Sequence, residues 1–193
     1  MYEEKRNERE RIVPFEEARK YIASVSRRVA LLHLCYAKAI INELGTERGK
    51  RLILKAIKDF GRKIGEKTRE EVLSKDLEPV PENFEIGESY VLPKFGMHDK
   101  IEVVEIEGEK RFRVYGCILA KVWKEYGEES LGRYYCYMDI AKYMGFNPDY
   151  KLIHTKCVLD GDEYCELVVR RTTEKERKDF FAEGKDWTYL DKE

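Results

Sequence analysis

The chain of 193 residues contains no glutamine, only three histidines and five prolines, and no excess of either charge, with 37 basic against 38 acidic residues. The even balance gives no global field that would draw the protein to nucleic acid or to an anionic membrane, so small molecules and second copies of the chain are the expected partners. No run of about 18 apolar residues occurs, and no cationic leader precedes an apolar stretch, so the reading is a cytoplasmic protein with no membrane span. Cysteine is scarce and odd in number, five in all. No C-x-x-C pair exists among Cys35, Cys117, Cys136, Cys157 and Cys165, which argues against a disulfide framework and against a zinc finger, and for free thiols or a site assembled in space. Charged residues reach 39% of the chain. Together with the missing glutamine, this matches the composition of thermophile proteins.

What is present reads as one α+β domain over residues 14–172, preceded by a charged, frayed end (1–13) and followed by a charged tail (173–193). Ile22, Val25, Val29, Leu32, Tyr36 and Ile40 recur at steps of three and four and predict the buried stripe of a first helix that ends at Gly45. Ile53, Ala56, Ile57, Phe60 and Ile64 predict the stripe of a second, beginning at Thr46. A proline-rich connector leads to a hairpin turning at Glu107-Gly108-Glu109. Two helices, Cys117 to Tyr126 and Gly132 to Met144, follow, and then a hairpin turning at Asp160-Gly161-Asp162. In the tail, Trp187 and Tyr189 can pin down a short exposed helix. The order helix, helix, hairpin, helix, helix, hairpin predicts a four-stranded antiparallel sheet covered on one face by helices.

Chemistry points to the second half. On the helix beginning near Gly132, Cys136, Asp139, Ile140 and Tyr143 sit at i, i+3, i+4 and i+7 and share one face, setting a thiol beside a carboxylate. In the second hairpin, a two-residue turn would put His154 and Cys165 on one face, whereas a longer loop aligns Cys157 with Cys165, Leu167 and Val169. The burial pattern favours the longer loop, so Cys157 and Cys165 are expected inward and His154 outward. Cys136, Asp139 and Cys165 should then border one partly buried pocket walled by Ile140, Tyr143 and Leu167. Burial there should raise the Asp139 pKa unless a cation opposes it. His33 and Cys35 read as packing residues, and His98 as an exposed loop histidine. Core filling accounts for each thiol about as well as function does.

The segments YCYMDIAKYMGFNP and TKCVLDGDEYC, with the helical run RRVALLHLCYAKAIINELGTERGKRLILKAIKDFGRKIG, resemble the L-2-amino-thiazoline-4-carboxylic acid hydrolase family over about residues 15 to 170. The G-D-x-x-C ending after Cys157 is also similar to the 4-vinyl reductase domain, a small-molecule-binding module, whose role would be a ligand or metal sensor without catalysis. The C-x-x-D segment and Asn147-Pro148 favour the hydrolase. That resemblance implies hydrolytic opening of a cyclic amidine, with Cys136, Asp139 and Cys165 catalytic and Cys117, Thr155, Cys157 and Asp162 at the substrate. A thiolate at Cys136 or Cys165 would add to the ring carbon, with Asp139 moving protons. Alternatively the cysteines and Asp139 would bind a metal that activates water. The sequence names no cofactor.

Overall fold

The protein is described from a computed structural model over residues 12–191. The expected frayed N-terminus therefore lies almost wholly outside the described residues. Helices α1 (Phe15–Leu44) and α2 (Thr46–Leu73) form a hairpin. A 3-10 turn at Pro81–Ile86 leads to strands β1 (Lys100–Ile106) and β2 (Glu109–Tyr115). Helices α3 (Ile118–Glu125), α4 (Glu129–Cys136) and α5 (Met138–Phe146) precede β3 (Tyr150–Lys156) and β4 (Cys165–Arg171), and α6 (Glu174–Phe181) and a 3-10 turn at Thr188–Asp191 close the chain. The strands form one antiparallel sheet in the order β1-β2-β4-β3. Glu107 and Gly108 both have positive φ (52° and 77°), the two-residue turn whose twist suits a hairpin.

The helical hairpin forms as the periodicity requires, with Gly45 at φ 74° breaking it, but its buried faces take in only part of the predicted stripes, Ile53 and Ile57 of α2 being buried as expected. In α1 the core side is Ser26, Ala30, Leu34 and Ala37, while Val25, Leu32 and Tyr36 are exposed. In α2, Gly49, Gly61, Gly65 and Thr68 are buried, and Phe60 and Ala56 face outward. Close approach of backbones is the cause. A Cβ on Gly65 would stand 2.0 Å from the carbonyl oxygen of Lys142, and one on Gly145 would stand 2.5 Å from that of Arg62, so α2 and α5 touch backbone to backbone. Periodicity weighs large apolar residues, whereas a close helix crossing selects small ones.

Two further expectations change. The helix from Gly132 to Met144 is two helices meeting at Tyr137. The C-terminal segment is not merely an exposed helix pinned at its end: Phe180, Trp187 and Leu190 are buried against Ile140, Ala141 and Met144 of α5. The main core lies between α1, α3 and the sheet. There Trp123 is buried and donates its indole N–H to the carbonyl of Ala30 at 2.9 Å, beside Leu34, Val114, Cys157 and Cys165. Among the described residues no helix is long and apolar enough to cross a membrane.

Candidate functional site

Four cysteines mark the ends of four elements. Cys117 immediately precedes α3, Cys136 closes α4, Cys157 follows β3, and Cys165 opens β4. All are free thiols. Cys157 and Cys165 are buried, as the burial pattern of the hairpin required, and Cys136 and Cys165 lie close enough to Cys157 to shift its titration. The backbone N–H of Val158 donates to Cys165 Sγ at 3.4 Å. Cys117 lies close enough for its charge to be felt at Cys136 and Cys165.

His154 was expected outward and is not: its side chain is 4% exposed and faces Asp191 and Asp139. The reason is a β-bulge. His154 pairs with Leu167 but Lys156 pairs with Glu166, leaving Thr155 without a partner residue on β4. One inserted residue shifts the alternation, so both His154 and Cys157 can lie on the face that carries Cys165. The two registers weighed in the sequence each hold on one side of Thr155. The hydroxyl of Thr155 donates to the Glu166 carboxylate at 2.8 Å, and Glu166 also accepts from Arg111 and Arg113 on β2.

The thiols do not titrate alike. Hydrogen bonds from Cys136 and Cys165 converge on Cys157, and the charges of Arg133 and His154 add to them, so its pKa falls well below that of an ordinary thiol despite burial. Cys136 and Cys165 are driven up by the same bonds and by burial. Cys117 is raised by burial, opposed by the N–H groups of Ala120 and Leu119 at the start of α3. Of these thiols, Cys157 is the one whose ionised form the cluster favours.

Arg133, on α4 one turn before Cys136, is the cation at this cluster. Its Nε donates to Asp160 at 2.8 Å, its Nη2 donates to Asp191, and its guanidinium stacks over the Tyr137 ring at 4.7 Å. Nη1 is buried and has no hydrogen-bond partner among the described residues. Asp191, with a side chain 1% exposed, also accepts from the His154 backbone N–H at 2.8 Å and lies 3.2 Å from its Nδ1. Burial alone would depress the His154 pKa, but Asp191 and Asp139 outweigh it and raise it. A cleft of about 470 Å³ opens here, bordered by Arg133, Tyr137, His154, Cys157, Asp160 and Asp191 among others.

Asp139 and Cys136 sit on different helices, so the spacing that put them on one face does not apply across the break at Tyr137. Asp139 pairs with Lys142 at 2.7 Å and lies 3.8 Å from His154 Nε2. Burial pushes its pKa up, but Lys142, His154 and His98 prevail and hold it below the usual carboxylate value. Its expected neighbours turn elsewhere, Ile140 into the α5–α6 core and Tyr143 onto the Phe84 ring at 4.9 Å. Asp162 is a turn residue, its carboxylate accepting the Cys157 N–H at 2.8 Å. His98, expected exposed, is half-buried near Asp139 with its Nδ1 buried and unpartnered. Among the described residues no group of three or more His, Cys, Asp or Glu is arranged to hold a metal ion.

The family model for L-2-amino-thiazoline-4-carboxylic acid hydrolase matches residues 24–169. The chain belongs to this family. No curated protein matches it. The matched stretch of this L-2-amino-thiazoline-4-carboxylic acid hydrolase family member contains all four clustered thiols, Arg133 and His154, whereas Asp191 lies beyond it. Of the three polar residues that sequence reading missed, Arg133 carried a signal, a cation three residues before Cys136 on one helix face. His154 depended on an unforeseen bulge. Asp191, in an apolar setting near the end of the chain, carried none.

Proposed function

We propose that the protein hydrolyses a small cyclic amidine of the 2-amino-thiazoline-4-carboxylate type, with Cys157 as the nucleophile. The observation that carries this reading is the place of Cys157, beside Cys136, Cys165, Arg133 and His154 and at the border of the cleft. A thiolate is the reactive form of cysteine, and a free thiol with a pKa of about 8.5 is mostly protonated at neutrality, so a site that stabilises one thiolate among three sulfurs suits nucleophilic catalysis. The roles therefore differ from those the resemblance implied: Cys136 and Cys165 hold the charge on Cys157 and do not themselves attack.

Arg133 Nη1 keeps a donor for the substrate carboxylate, the planar recognition to which guanidinium is suited. The sulfur of Cys157 forms a bond to the ring carbon flanked by nitrogen and sulfur as the C=N electron pair moves to the ring nitrogen. The protonated His154, held between Asp191 and Asp139, supplies the proton. Collapse breaks the bond from that carbon to the ring nitrogen, which takes a second proton from the exocyclic amino group and leaves as an amine, while the carbon stays on Cys157 as a C=NH adduct. Water then adds across the C=N bond, giving one proton to nitrogen; as the carbonyl forms, the Cys157 thiolate departs and the second proton of water returns to His154.

The test is turnover of 2-amino-thiazoline-4-carboxylate by the purified protein, compared with Cys157→Ser and Asp139→Asn. Wild type should open the ring, and Cys157→Ser should lose at least about a thousand-fold in rate, in line with removal of a covalent nucleophile. Asp139→Asn, which keeps volume and removes the counter-charge to His154, should fall about ten- to a hundred-fold. Absence of turnover in wild type together with tight binding of an apolar ligand would instead make the cluster part of a sensor.

A further inference from the structure

The long helix α1 presents to solvent the stripe its sequence marks as apolar. Tyr21, Val25, Leu32 and Tyr36 are 59%, 59%, 57% and 64% exposed, and the half-buried Ile22, Val29 and Ile40 flank them. The opposite side, with Ser26, Ala30, Leu34 and Ala37, is already spent on the core. Helix faces of this kind are found at interfaces. We propose that this face of α1 is a homodimer interface, in which the α1 helices of two copies pack antiparallel about a two-fold axis passing between Arg28 and Val29.

The spacing itself selects a second copy as the occupant. Tyr21 and Tyr36 lie equally far from the point midway between Arg28 and Val29, and so do Val25 and Leu32. A two-fold interface requires that if one residue meets a second, the second meets the first on the partner, and an antiparallel helix pair satisfies this only when the stripe is symmetric about its middle. Here Tyr21 meets the partner's Tyr36, and Val25 meets the partner's Leu32. The steps of four, seven and four between Tyr21, Val25, Leu32 and Tyr36 keep all four on one face of the helix. Arg28 lies at the margin of the stripe next to the axis, so its charge stays in solvent while its stem covers apolar surface.

Size is adequate. The stripe from Tyr21 to Tyr36 is about 22 Å long, and its four exposed side chains offer about 500 Å² per copy, so the pair reaches the roughly 1,000 Å² that separates specific interfaces from incidental contacts. The flanking Ile22, Val29 and Ile40 add to it. The interface lies on a different helix from the thiol cluster, so its presence or absence is independent of the hydrolase reading.

Sedimentation equilibrium or light scattering of the full chain at micromolar concentration tests this. Wild type should be a dimer, and Val25→Lys and Leu32→Glu should each be monomers with unchanged circular dichroism, since both positions are exposed. The double variant carrying Val25→Lys and Leu32→Glu should dimerise again, because antiparallel pairing sets each lysine against the partner's glutamate, whereas parallel pairing would set like charges together. Val103→Glu, at an equally exposed site on β1, should remain dimeric. A monomeric wild type, single variants that stay dimeric, or a double variant that stays monomeric each overturn the proposal.

Discussion

At the scale of single residues, the site is governed by one buried histidine and the two carboxylates that face it. The His154 pKa in the folded chain stands above its ordinary 6.5. A group raised in this way contributes stability that is fully present below the unfolded value and is lost as pH rises through the folded one. The difference in urea midpoint between wild type and His154→Gln should therefore be largest near pH 6 and shrink progressively above it. A difference that instead grew with pH would mean that the imidazole is buried neutral, and the proton supply assigned to it would fail. The same reasoning explains why the Asp139 pKa falls against the expectation from burial alone: Lys142 and His154 face it, and opposite charges outweigh desolvation.

At the scale of elements, the decisive feature is the contact of α2 with α5, which fixes the start of α5 and hence Asp139. Gly61, Gly65 and Gly145 let the two backbones meet. Gly65→Ala would force its methyl group into backbone at 2.0 Å, where no flexible side chain can move aside, so we expect a loss of about 3 kcal/mol or more. Gly127→Ala, in open space at φ 66° in the left-handed turn that ends α3, should cost only about 1 kcal/mol. Thermal denaturation of the two variants ranks them. Equal effects would show that α2 and α5 are not held at backbone contact. The bulge at Thr155 is the other element-scale device, since it lets a strand place His154 and Cys157, three residues apart, on one face.

At the scale of the whole molecule, the last described residues complete the site. Trp187 is 4% exposed and packs edge-on against Tyr137 and Phe180, and the turn that follows delivers Asp191 to Arg133 and His154. Trp187→Ala should cost about 3–5 kcal/mol by cavity formation, and, because Asp191 loses its support, it should also slow turnover well below the melting temperature. Retention of full activity at a lowered melting temperature would show that Asp191 holds its place without that packing.

The sequence by itself determined the elements and their class. Periods of three and four marked the helical hairpin, Gly45 its break, and Glu107-Gly108 the first turn, because these are local steric and hydrogen-bonding choices. It also determined that Cys157 and Cys165 face inward, since an apolar alternation must be buried. The sequence placed Ile53 and Ile57 of α2 in the core, but only the tertiary structure decided which face of α1 is core and how far the glycines of α2 join it, for a close crossing rewards glycine and alanine that a hydrophobic pattern ignores. Only it broke the helix at Tyr137 and separated Asp139 from Cys136. The charge on Cys157 was likewise beyond the sequence, because a pKa is set by neighbours. Cys136 with Arg133, Cys165, His154 and Asp191 come from four separate stretches of chain, and nothing short of the folded sheet and its helices brings them together.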